Sequence, residues 1–171
     1  MGTKEALVAM RKPLACFALV VVSILCRTAV GQKPDDLPRP TDYVSDLAHV
    51  SSPRAVKQID RIGAQLDHSN TNVQIAVVTV PSVNGADIAE YAKNLANTWG
   101  VGSKKSNRGV LILLAINDHR WRIAVGYGLE KTLPHSTVAS FGENMTPQLR
   151  ANDFDDAALL VVREIAQAVS P

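Results

Sequence analysis

The chain has 171 residues, and its 18 Lys and Arg stand against 16 Asp and Glu for a net charge of +2. That length suits one ordinary domain with its own core, and the near balance of charge excludes a protein that holds a nucleic-acid backbone through a block of cations. Both cysteines, Cys16 and Cys26, precede residue 31, which excludes a disulfide framework or a cysteine nucleophile in the rest of the chain.

Residues 1–31 read as an address. Arg11 and Lys12 precede an apolar run from Leu14 to Cys26, and Ala29-Val30-Gly31 supplies small residues for a cleavage site before Gln32. The run is too short for a membrane span, which takes about 20 residues. The chain is therefore expected to pass into a secreted or periplasmic compartment and to be cut after Gly31, with an uncleaved anchor as the alternative, and once cut to keep no stable membrane insertion. Without Lys4, Glu5, Arg11, Lys12 and Arg27, fourteen basic and fifteen acidic residues remain, a net charge of −1. Residues 32–41 hold three prolines and no apolar periodicity, and read as an extended leader to a domain over 42–171.

Within that domain, Pro53 suits the first turn of a helix capped by Ser51 or Ser52, with Val56, Ile59, Ile62 and Leu66 on one face. Val73–Val80 reads as a buried strand. Asp87 caps a second helix whose face is Ile88, Tyr91, Leu95 and Trp99, and Gly100 ends it. Val110–Ile116 is a second apolar strand. Asn117-Asp118-His119 turns the chain, and Arg120–Val125 returns with Trp121, Ile123 and Val125 alternating against Arg122 and Ala124. A third helix is expected from Ser136, with Val138 and Phe141 inward. Asp153 caps a fourth, with Phe154, Ala157, Val161, Ile165 and Ala168 on one face. The strand–helix–strand unit predicts a right-handed crossover and a parallel pair, and the hairpin adds an antiparallel strand. The expected fold is α/β: a three-layer α/β/α sandwich around a small mixed sheet.

This order sorts the loops. Trp99–Gly102, Asn107, Gly109 and the stretch Gly126–Glu130 all fall at the end where the second apolar strand begins. His135 and a helix N-terminus follow closely. Glycines at 100, 102, 109, 126 and 128 allow close backbone approach. Oxygen donors such as Asn107 and Glu130 suit a hard cation, and a helix N-terminus suits an anion. Asn107 serves equally as a turn residue and Glu130 as a solvated carboxylate. Parallel sheets usually bind ligands beyond the carboxyl ends of their strands, which makes Asp118 and His119 the second choice of site, with a hairpin turn as the plainer role for Asp118.

The run WGVGSKKSNRGVLILLAINDHRWRIAVGYGLE over Trp99–Glu130, with YVSDLAHV at Tyr43–Val50 and QIAVVTVPS at Gln74–Ser82, resembles the TPM domain family. The resemblance covers roughly Pro40 to Ser170. The family includes a thylakoid-lumen photosystem-repair protein and many secreted or membrane-anchored bacterial proteins. It implies an α/β/α sandwich, calcium binding and a weak acid-phosphatase activity, with Asp46 as a metal ligand beside Asn107 and Glu130. Asp46 serves equally to cap the following helix or close a turn. Asn107 stands where the family often has Asp, and His135 where it often has an acidic residue. Each difference removes a negative charge from an ion site.

No Gly-x-Ser-x-Gly elbow, HExxH or phosphate-binding loop follows the leader. Two functions are therefore expected. The first is a secreted module that binds envelope or membrane proteins in their assembly or quality control, with a calcium ion as a structural part. The second is a weak phosphomonoesterase working through a metal-activated water. A nucleic-acid partner is not expected.

Overall fold

The computed structural model describes residues 34–170. The signal-peptide reading of residues 1–31 lies outside the described residues. Four strands, β1 (Val44–Asp46), β2 (Gln74–Val80), β3 (Gly109–Ala115) and β4 (Arg120–Val125), and four helices, α1 (Pro53–Asp67), α2 (Ile88–Trp99), α3 (His135–Arg150) and α4 (Phe154–Val169), follow in the chain order β1-α1-β2-α2-β3-β4-α3-α4. The strands form one sheet in the order β1-β2-β3-β4. The first three are parallel and β4 is antiparallel to β3, with Val110 opposite Val125 and Ala115 opposite Arg120.

The α/β sandwich expected from the sequence is present, with one strand more. β1 has three residues, too few to show a period. Its pairing comes from β2: Val77 N–H donates to the Tyr43 carbonyl at 2.8 Å and Leu47 N–H to the Thr79 carbonyl at 3.0 Å.

β2 and β3 are buried on both faces, as their unbroken apolar runs require. Ile75, Val77, Val110, Ile112 and Leu114 face α1, α3 and α4. Ala76, Val78, Val80, Leu111 and Leu113 face α2. The layers are thus unequal, three helices against one. Because β1, β2 and β3 lie in sequence order while α1 and α2 cover opposite faces, the two crossovers have opposite hands. The right-handed rule holds for one of them and not the other.

Caps fix the helix starts. Ser52 Oγ accepts from Ala55 N–H at 3.2 Å, Asp87 Oδ1 from Glu90 N–H at 2.8 Å, and Asp153 Oδ1 from Asp156 N–H at 3.1 Å. α2 ends at Gly100 in the left-handed region, φ 71°. α3 begins at His135, one residue before the position read from the sequence, because Pro134 serves as an N-cap with no side-chain bond. The leader differs from an extended linker at its distal part. Pro34–Asp36 forms a 3-10 turn, and Leu37 is buried in the core under α2. Burying one leucine side chain contributes about 2 kcal/mol.

Candidate functional site

The loops at the start of β3 meet as the topology predicts. Asn107, Gly109 and Gly126 line one groove with Lys93, Asn97 and Tyr127. Glu130 and His135 line a neighbouring cleft of about 750 Å³ with Glu90, Lys93 and Arg122. Lys93, Ala124 and Val125 belong to both, so the two hollows form one furrow between α2 and β4. Arg122 and Lys93 are additions to the residues read from the sequence. Arg122 was legible as a polar position in the β4 alternation, and Lys93 falls off the apolar face of α2.

The glycines here serve the chain's own packing. A Cβ on Gly109 would strike the Val101 carbonyl, one on Gly126 the Asn107 carbonyl, and one on Gly128 the Ser106 carbonyl. The Gly102 N–H donates to Gln74 Oε1 at 2.8 Å, and its φ of 85° suits no other residue well. The close approach is therefore backbone to backbone. Gly100 sits apart from the furrow, in a cleft with Tyr43, Asp67, Gln74 and Trp99. There the Tyr43 hydroxyl donates to Asp67 Oδ2 at 3.1 Å, and burial followed by the Asp67 charge raises the Tyr43 pKa.

Asn107 adopts φ 47°, its N–H donates to the Ser103 carbonyl at 2.8 Å, and its carbonyl accepts from Gly128 N–H at 3.1 Å. It is a turn residue whose side chain borders the furrow. Leu129 and Leu133, both buried, anchor the 3-10 turn Tyr127–Leu129 and leave Glu130 and His135 in solvent. Tyr127 is 79% exposed, the one large apolar side chain so exposed among the described residues.

Asp46 stands elsewhere. It ends β1 opposite Thr79, near the carboxyl end of the parallel strands, whereas Asn107 precedes the start of β3. Its Oδ1 accepts from the Thr79 hydroxyl at 2.5 Å and Val50 N–H at 3.1 Å, and its Oδ2 accepts from Ser51 N–H at 2.9 Å. Three of about four acceptor positions are thus occupied by the chain itself. Asp46 organises the loop into α1, which is the turn role, and does not stand with Asn107 and Glu130 around one point. Among the described residues no group of three His, Cys, Asp or Glu side chains could hold a metal ion. The three expected ligands do not fit a single calcium ion, because Asp46 stands apart from Asn107 and Glu130.

At that same carboxyl end, Asp118 links two loops. Its Oδ1 accepts from the Ser82 hydroxyl and its Oδ2 from Val83 N–H, both at 2.7 Å. These two bonds, the Ser82 one foremost, hold its pKa below the usual carboxylate value. His119 follows in the left-handed region at φ 49° and is exposed at the hairpin tip. Asp118 therefore ties the β3–β4 hairpin to the loop before α2, a longer reach than a hairpin turn alone.

The model of the TPM domain matches residues 44–168. The chain belongs to the TPM domain family. Solved structures similar to this chain include the N-terminal domain of a P. gingivalis protein, at 29% identity and a TM-score of 0.73, covering 80% of this chain and 90% of that one. The N-terminal domain of the cg2496 protein from Corynebacterium glutamicum has 17% identity and a TM-score of 0.61, covering 79% and 85%. The BA42 protein from Bizionia argentinensis has 15% identity and a TM-score of 0.60, covering 70% and 81%. The last two are similar in fold. No curated protein matches the chain.

Proposed function

We propose that this TPM domain is an exported binding module that holds envelope or membrane proteins during their assembly or quality control, through the furrow between α2 and β4. The observation that carries the reading is Tyr127. A tyrosine 79% exposed at the mouth of a furrow lined by Lys93, Arg122, Glu90 and Glu130 has the make-up of an interface anchor with a polar rim. Both charge signs border the furrow, which favours a protein surface over a single small ion. Export rests on the basic, apolar and small-residue pattern of residues 1–31. No helix among the described residues is long and apolar enough to cross a membrane.

The phosphomonoesterase reading would need Asp46, Asn107 and Glu130 around one ion. Asp46 stands at the opposite end of the sheet from Asn107 and Glu130, so these three side chains do not supply that site. The binding reading is tested by affinity capture from the envelope fraction with the wild-type chain and with Tyr127→Ala. Partners retained by the first and lost from the second are expected. Recovery of the same proteins by both, or of none by either, would overturn it.

A further inference from the structure

A second hollow lies at the other end of β4, on the face covered by α3 and α4. It encloses about 440 Å³ between the end of β3, the start of β4, the last turn of α3 and the first residue of α4. That size falls in the range of small-molecule pockets, about 300–1,000 Å³. Leu114, Ile116, Trp121, Leu149 and Phe154 make it apolar. The indole is fixed because its benzo edge lies on Gly142 of α3, where a Cβ would clash with it. Phe154 is half-buried at the start of α4 and belongs to neither core cluster.

The charge at the rim has one sign. Arg150 and His119 border the hollow, and no Asp or Glu lines it. The Arg150 side chain makes no hydrogen bond or ion pair with the described residues. Arg120 also lines the hollow, but its Nη1 donates to the Ala86 carbonyl at 3.3 Å on the α2 side. The carboxylates next to lining residues in sequence are engaged elsewhere: both oxygens of Asp118 are held by Ser82 and Val83, Asp153 Oδ1 accepts from Asp156 N–H at 3.1 Å, and Asp155 Oδ1 accepts from Ser52 N–H at 2.9 Å.

We propose that this hollow binds a small amphipathic monocarboxylate, with its aromatic or branched apolar body between Trp121 and Phe154 and its carboxylate on the Arg150 guanidinium. An apolar floor rewards a hydrocarbon body by the area it removes from water. A guanidinium with five donors and no partner rewards a carboxylate through charge-assisted bonds. The site is independent of the Tyr127 furrow, which lies at the far end of β4.

The chain has two tryptophans, so its proton–nitrogen spectrum holds two indole signals. Trp121 lines the hollow, and Trp99 lies at the end of α2 in the other core, an internal control. The full chain is titrated with 3-phenylpropanoate and, separately, with the neutral amide 3-phenylpropanamide. The acid is expected to shift the Trp121 signal saturably while Trp99 stays still. The amide is expected to bind about tenfold more weakly, the loss of one charge-assisted contact at a solvent-facing site. Arg150 is exposed in the last turn of α3, so Arg150→Gln is expected to keep the fold, with an unmoved Trp99 signal as the check. In that variant the acid is expected to bind no better than the amide. The proposal is overturned by an unsaturated or absent Trp121 shift up to about 10 mM. It is equally overturned by equal shifts of both indoles, by equal affinity for acid and amide, or by an unchanged preference in Arg150→Gln.

Discussion

The Thr79 hydroxyl donates to Asp46 Oδ1 and accepts from Ala48 N–H at 3.2 Å, so one buried side chain on β2 locks the end of β1 and the loop beyond it. Thr79 is 1% exposed and is the buried polar residue of the core among the described residues. A buried hydroxyl is tolerated where both its donor and acceptor capacities are met, and Asp46 meets the first.

Replacing Asp46 by Ala should therefore act on stability. It strands the Thr79 hydroxyl and frees Val50 N–H and Ser51 N–H together. The expected loss is about 2–3 kcal/mol, the range for a charged acceptor serving partly buried donors. Urea denaturation of Asp46→Ala against wild type measures it. A midpoint unchanged at equal m-value would show that the carboxylate does not organise the loop.

Trp121 and Gly142 make a second pair that stability measurements can reach. The benzo edge of the indole occupies the place of a side chain on α3. Gly142→Ala improves helix propensity by about 1 kcal/mol in an open position. Here the clash should win, with a net loss of about 1–3 kcal/mol typical of overpacking. Trp121→Phe shortens the ring, so the double variant should lose less than the two single changes added together. Thermal melts of the four proteins decide it.

The Asp118 carboxylate contributes a pH dependence of known sign. Its pKa is lowered on folding by the Ser82 hydroxyl and Val83 N–H. The unfolded chain therefore binds its proton more readily, and the stability Asp118 contributes is fully present above the unfolded value of about 4 and is lost as pH falls through the folded value. Asp118→Asn is expected to be less stable than wild type at neutral pH and to approach it as the pH falls through the lowered folded value. Melting temperatures of both proteins across that range give the comparison. A constant difference between them at all pH values would remove the carboxylate from the account.

Calcium provides a test of placement. Asp46 lies near the carboxyl end of the parallel strands, while Asn107 and Glu130 lie at the other end. An ion held at either end cannot feel both. Any calcium dependence of the melting temperature that Asp46→Asn abolishes should persist in Asn107→Asp and Glu130→Gln. A response removed by Asp46→Asn and by Glu130→Gln alike would contradict the separation described here.

Local pattern alone determined much of the molecule. The unbroken apolar runs of β2 and β3 announce strands buried on both faces, because only residues covered twice avoid polar alternation. The caps Ser52, Asp87 and Asp153 and the left-handed Gly100 mark helix ends through bonds made within four residues. The furrow too was legible in part. Asn107, Glu130 and His135 reach one side because a parallel crossover followed by a hairpin returns the chain to the same end of the sheet. Tertiary structure decided the rest. β1 is three residues long and exists through its bonds to β2, which leave no period in the sequence. Which face each helix covers, and hence the opposite hands of the two crossovers, depends on how whole layers pack. Asp46 is written the same way whether it binds an ion or closes a loop. What holds its carboxylate in the fold is Thr79, thirty-three residues away, whose hydroxyl the parallel register brings to it.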